Sequence, residues 1–77
     1  MEEEFLYQFQ RKENELVCLR LKEYKRRKYI DLRIFYKPED DDQMRPTKKG
    51  ITLAIELLPQ LKKGIIISEQ KVLNHSK

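Results

Sequence analysis

Apolar and polar residues alternate with a period of two along much of the first half of the chain. In residues 5–12, FLYQFQRK, the rings of Phe5, Tyr7 and Phe9 fall on one side and Leu6, Gln8 and Gln10 on the other. That is the spacing of a strand. The polar KEN that follows contains Asn14, which tolerates positive φ, and predicts a hairpin turn. Residues 15–24, ELVCLRLKEY, read as a second strand, with Val17, Leu19 and Leu21 on one apolar side and Leu16, Cys18, Arg20, Lys22 and Tyr24 on the other. Apolar positions recurring every second residue, rather than every third and fourth, exclude a helix here. KRRK reads as a charged connection. YIDLRIFYK then gives a third strand, with Ile30, Leu32 and Ile34 on the core side and Tyr29, Asp31, Arg33 and Phe35 facing out. Alternation places Tyr36 on the core side unless a bulge turns it.

The alternation then stops. PEDDDQMRPTKKG, with two prolines and a glycine, is the longest non-periodic stretch and reads as a loop, with Gly50 letting the chain turn into a short final strand, ITLA. In AIELLPQLKKGIIISEQKVL, Leu57, Leu58, Leu61 and Ile65 return to helical spacing. Pro59 is comfortable only in a first helical turn, and Gly64 either caps a short helix or weakens a longer one. The expected helix runs from about 55–59 to about 64–70, followed by a flexible tail over 68–77 that contains His75. The fold class is therefore α+β: one four-stranded antiparallel β-sheet followed by one C-terminal helix (β-β-β-β-α), a single domain over residues 1–77 with its core at about 5–67. One helix covers only part of one sheet face, so the basic outer face of the second and third strands is expected to stay open.

Length changes the picture next. A 77-residue chain buries only about 60% of its unfolded surface, and small domains without staples gain stability from a partner subunit. The leftover apolar residues Leu57, Leu58, Leu61 and Ile65 to Ile67 point to a homodimer. The single cysteine, Cys18, allows no disulfide within the chain and no cysteine metal cage, and reads as a small core residue of a reducing compartment. The opening MEEEFLYQF carries the wrong charge for a secretory leader, and no apolar run approaches the roughly 20 residues of a membrane span. A soluble protein of the cytoplasm or nucleoid, or of the host cytoplasm for a virus, is expected, with no membrane association.

Charge sharpens this further. Lys and Arg number 17 against 13 Asp and Glu, giving +4, and six of the nine residues from Arg20 to Lys28 are basic. The acids gather at Glu2 to Glu4 and Glu39 to Asp42. Segregation of this kind suggests a basic face for phosphates. No catalytic set is evident. The lone histidine, His75, lies at the tail, EDDD lacks the alternating oxygen ligands and glycine of a calcium loop, and Gly50 precedes a strand and stands alone. The chain reads as a non-enzyme with no cofactor and no metal site.

What the sequence does hold is a set of interleaved cations and rings: Arg20, Lys22, Tyr24, Lys25, Arg26, Arg27, Lys28 and Arg33, joined by the loop cations Arg45, Lys48 and Lys49. Cations neutralise phosphates and release counterions, while an aromatic face stacks an unpaired base at about 1–3 kcal/mol. Composition leaves both single-stranded nucleic-acid binding and a solubilising surface open.

The linked motifs IDLRIFY, PEDDD and MRPTKKGITL resemble the signature region of the transcriptional positive cofactor four family. Those single-stranded-DNA-binding coactivators, with bacterial and phage homologues, carry I-D-I-R-x-aromatic-aromatic, an acidic turn, then M-K-P-G-R-K-G-I-S-L. The likeness extends over residues 15–65 and is strongest from 29 to 53, with one extra residue in the acidic turn. It implies a β-β-β-β-α domain that dimerises through its C-terminal helices, with paired sheets forming channels for DNA strands. It also implies phosphate contacts at Lys22, Lys25, Arg27, Arg33 and Lys49 and base stacking on Tyr24 and Tyr36. The chain departs from the family at Glu15 and Val17, where cations are usual, and at Tyr36, which replaces tryptophan. It departs again at Thr47, which replaces glycine, at Ala54 and Ile55, which replace Asn-Pro, and at Pro59.

The resulting expectation is a dimeric, largely sequence-independent single-stranded-DNA-binding protein acting in transcription or in DNA replication and recombination. Its DNA-binding residues would be Arg20, Lys22, Tyr24, Lys25, Arg27, Arg33, Tyr36, Arg45, Lys48 and Lys49. The alternatives are an adaptor for transcription or replication proteins, engaged through the acidic segments, and an RNA-binding module.

Overall fold

In the computed structural model the described residues are 2–75, and the side chains of Glu2 and His75 lie outside the description. Strands β1 (Glu2–Lys12), β2 (Glu15–Tyr24), β3 (Arg27–Tyr36) and β4 (Arg45–Ala54) are followed by a 3-10 turn at Ile55–Leu57 and a helix α1 (Leu58–His75). The strands form one antiparallel sheet in the order β1-β2-β3-β4. This is the β-β-β-β-α order that the alternation predicts.

Residues paired across an antiparallel ladder share a face, so the register sorts the side chains. Val17, Leu19 and Leu21 pair with Ile34, Leu32 and Ile30, and Leu32 and Ile30 pair onward with Ile51 and Leu53. These make one apolar face. Cys18, Arg20 and Lys22 pair with Arg33, Asp31 and Tyr29, and Asp31 pairs with Thr52; these make the polar face. The β2–β3 ladder is regular through Tyr36↔Glu15, so Tyr36 stays on the apolar face with no bulge to turn it.

Several local expectations are corrected. The rings of β1 do not share a face. A bulge between Phe5 and Tyr7 makes Leu6 the extra residue, so Phe5 pairs with Arg20 on the polar face while Tyr7 and Phe9 pair with Leu19 and Val17 on the apolar one. The KRRK connection shrinks to Lys25 and Arg26, because Arg27 already pairs with Tyr24. Lys25 and Arg26 have φ of 50° and 66°, the left-handed pair required by a two-residue type I′ hairpin.

The long loop also shrinks, to residues 37–44, because MRPTKKG enters β4 from Arg45 onwards. Arg33 pairs with Gly50 but Phe35 pairs with Pro46, so Thr47, Lys48 and Lys49 stand against Ile34 alone. This widened bulge absorbs the broken periodicity, and Pro46 is tolerated because β4 is an edge strand. Gly50 is not a turn residue either, since no glycine has positive φ. A Cβ on it would lie 2.6 Å from the Leu32 carbonyl oxygen and 2.9 Å from Arg33 Cα. Close approach of β3 is what excludes a side chain there.

The helix is longer than its spacing suggests. It starts within the expected window, with Pro59 in its first turn, and continues past Gly64 through Ser68, whose Oγ donates to the Gly64 carbonyl oxygen at 2.7 Å, to His75. It does not lie over the sheet, meeting mainly the 3-10 turn. Ile65, Ile66, Ile67 and Val72 are exposed. The radius of gyration is 14.8 Å, against about 11.5 Å for a compact domain of this length. No helix among the described residues is long and apolar enough to cross a membrane.

Candidate nucleic-acid interface

The alternation points Asp31 and Arg33 outward, yet Asp31 is 0% and Arg20 5% exposed. The polar face buries a charged cluster in place of an apolar core. Arg20 donates from Nε and Nη2 to Asp31 Oδ2 at 3.3 and 2.7 Å, and from Nη1 to Glu3 Oε1 at 3.1 Å. Arg33 donates from Nη2 and Nε to Asp31 Oδ1, at 3.0 and 3.3 Å, and Thr52 Oγ1 donates to the same oxygen at 2.6 Å. Burial alone would raise the Asp31 pKa. Hydrogen bonds from Arg33, Thr52 and Arg20 outweigh it and hold the carboxyl well below the usual carboxylate range. Phe5 and Phe35 pack edge to face at 5.5 Å, and the Arg20 guanidinium lies 4.9 Å from the Phe35 ring centre. The bulge at Leu6 is what brings Phe5 into this cluster. Beside it, burial pushes the Cys18 thiol pKa up against the opposing charge of Arg20.

Arg33 is therefore a fixed cation. Besides Asp31, its Nη1 donates to the Thr47 carbonyl oxygen at 3.0 Å. Thr47 in turn holds the β4 bulge, donating from Oγ1 to the Ile34 carbonyl oxygen at 2.7 Å and accepting from the Lys49 amide at 3.2 Å. A glycine at this position would offer no such hydroxyl. The acidic turn is pinned separately. Asp41 accepts from the Gln43 amide at 3.0 Å and from Arg45 Nη2 at 2.8 Å, and these two bonds, the amide first, lower its pKa.

Cations divide by type. Every ion pair among the described residues uses an arginine: Arg11, Arg20, Arg33 or Arg45. Lys22, Lys28, Lys48, Lys49, Arg26 and Arg27 enter none, and Lys25 lies over the Tyr24 ring with Nζ 5.3 Å from its centre. The ten residues singled out from sequence consequently fall into three groups. Lys22, Tyr24, Lys25 and Arg27 sit together at the β2–β3 hairpin tip. Arg20 and Arg33 sit mid-sheet on the polar face, holding Asp31. Tyr36, Arg45, Lys48 and Lys49 sit at the opposite end, around the β4 bulge.

Tyr24 and Tyr36 are not neighbours. Tyr24 pairs with Arg27 and Tyr36 with Glu15, which separates them by roughly 30 Å of strand and puts them on opposite faces. At the tip the structure adds Tyr29, which pairs with Lys22 and shares the face of Tyr24 and Arg27, whereas Lys28 pairs with Glu23 on the other face. Alternation already placed Tyr29 on the outward side with Asp31, Arg33 and Phe35, and that was the available signal. Thr47 had none, since its role depends on the bulge.

Residues 12–64 match the transcriptional coactivator p15 (PC4) family. No curated protein matches the chain. Among solved structures, a PC4 homologue from Burkholderia pseudomallei superposes with a TM-score of 0.80 at 24% identity, covering 88% of this chain and 98% of that one. A bacteriophage T5 homologue of the eukaryotic coactivator PC4, implicated in recombination-dependent DNA replication, superposes with a TM-score of 0.68 at 27% identity, covering 96% and 86%.

Proposed function

Because this chain belongs to the transcriptional coactivator p15 (PC4) family, whose members are DNA-binding coactivators and not enzymes, we propose that it binds single-stranded DNA as a homodimer with little regard to sequence. The observation that carries this reading is the proximity of cations that make no ion pair among the described residues to exposed rings at two places, the hairpin tip and the β4 bulge. Lys22, Lys25 and Arg27 neutralise phosphates beside Tyr24, and Lys48 and Lys49 do so beside Tyr36, each ring stacking an unpaired base. Arg20 and Arg33 set the shape of the sheet between them. Arg33 presents its remaining N–H groups to a strand in a fixed orientation, whereas Arg20 is turned inward.

Dimerisation is supported by the bare apolar side of α1 and by the extended shape of the single chain. Two protomers supply two tips and two bulge ends, so a strand reaching both rings crosses between copies. The role is in transcription or in recombination-dependent DNA replication, in which the phage T5 homologue is implicated.

Fluorescence anisotropy with an oligo-dT strand and a matching duplex, across salt, tests the reading. Tighter binding to the strand is expected, and equal weak binding to both would refute it. An oligo-U competitor separates DNA from RNA preference. Sedimentation at micromolar concentration is expected to give a dimer, and a monomer alone would refute that part. Exposed Glu39, Asp40 and Asp42 on the pinned acidic turn favour a second, compatible role as an adaptor for basic transcription or replication proteins. A nuclease-resistant pull-down would detect it.

A further inference from the structure

Where β3 runs past the end of β4, a cleft of about 430 Å³ opens between the hairpin tip and the 3-10 turn. Arg26, Arg27, Lys28 and Tyr29 line one wall, and Glu56 lines the other with Ala54 and Ile55. Glu56 stands in the first turn after β4 and, among the described residues, makes no ion pair with the three cations that share the cleft with it. Arg26 and Arg27 on one side of the gap and Glu56 on the other, left apart, are the complement of a ligand carrying an anion on one side and hydrogen-bond donors on the other. The half-buried Tyr29 ring adds a surface for a flat group between them.

We infer that this cleft is a guanine-reading subsite for one nucleotide of a bound DNA strand. Arg26 and Arg27 take the phosphate and Tyr29 stacks the base. Glu56 accepts hydrogen bonds from the base's Watson–Crick edge. A carboxylate only accepts, and guanine alone among the four bases offers it two adjacent donors, N1–H and the N2 amine. Adenine and cytosine offer one amine beside a bare ring nitrogen, and thymine brings carbonyl oxygens against the carboxylate. Reading an unstacked base by its Watson–Crick edge is the usual route to specificity on single strands. The subsite rests on the single-strand reading above and adds to it one position that is not sequence-blind.

The test uses labelled strands of about 15 nucleotides, within the usual range of single-strand site sizes, with the full chain. One is all dT, one carries a single central dG, and one carries deoxyinosine there, which keeps N1–H but lacks the amine. The dG strand is expected to bind roughly tenfold tighter than dT, the discrimination of one bidentate contact, with deoxyinosine between them. Glu56→Gln, an exposed substitution whose folding far-UV circular dichroism checks, is expected to erase most of that ratio. Equal affinity for dG and dT strands in the unaltered chain would overturn the inference, as would a dG preference that survives Glu56→Gln. If dT outcompetes duplex while dG adds nothing, the single-strand reading stands and only the guanine subsite falls. If no strand binds, both fall.

Discussion

Arg20 and Asp31 meet across β2 and β3 with Nη2 2.7 Å from Oδ2, both almost wholly buried, on the face that alternation marks as open. The pair is the anchor of the sheet's polar side, because Asp31 also collects Arg33 and Thr52. Every buried side-chain nitrogen and oxygen among the described residues has a partner, so the cluster tolerates removal of any one member poorly.

Asp31→Asn removes the charge that two arginines share. A cost of about 3–5 kcal/mol is expected, the range for breaking a buried pair by removing one partner, and urea denaturation measures it. The pH dependence has a defined sign. The folded-state pKa of Asp31 lies below its unfolded value, so its contribution is complete above the usual carboxylate value of about 3.9. It is lost as pH falls from there towards the folded value. The Asp31→Asn variant should show a shallower acid limb than the unaltered chain over that window.

Gly50→Ala should destabilise the β3–β4 junction by about 1–3 kcal/mol, the usual penalty for forced overpacking. The added Cβ meets the Leu32 carbonyl and the Arg33 backbone, not a movable side-chain end. Binding of oligo-dT should weaken as well, since Arg33 and the Thr47 bulge are displaced together. A substitution at Gly64, where a Cβ meets nothing within 4 Å, should instead raise helix stability, by up to about 1 kcal/mol for alanine. Thermal unfolding of the two variants compares them directly.

Lys25 and Arg26 hold left-handed backbone without the Asn-Gly sequence that such a turn favours. Left-handed backbone costs a non-glycine residue roughly 1–2 kcal/mol. Replacing the pair by Asn-Gly should therefore stabilise the fold while weakening strand binding. The slope of log affinity against log salt should fall by about 0.7 for each phosphate that is no longer neutralised. Opposite signs for stability and binding in one variant mark the tip as a place where cations are kept at the expense of turn geometry.

Tyr24→Ala and Tyr36→Ala should each weaken oligo-dT binding by about 1–3 kcal/mol, the value of one stacked base, with little change in salt slope. Because the rings lie at opposite ends and on opposite faces, their effects should add to within about 0.5 kcal/mol. Strong coupling in the double variant would mean that one base touches both rings.

Strand order, the hairpin at Asn14, the helix after β4 and the apolar identity of one sheet face were all legible along the chain. Period-two alternation and turn residues are local signals, and they survive in any context that allows a sheet. The same local reading marked the tip residues Tyr24, Lys25 and Arg27, whose proposed role depends only on being exposed and charged or aromatic. Packing between strands supplied what alternation leaves out. A single extra residue reverses every side chain beyond it, so the bulge at Leu6 moved Phe5 onto Arg20, and the widened bulge at Thr47 turned an apparent loop into β4. Burial depends on what crowds a residue from neighbouring strands, which placed Asp31 inside although its strand position pointed out. Folding likewise set Tyr24 and Tyr36 far apart, because antiparallel pairing sends the ends of β2 and β3 in opposite directions.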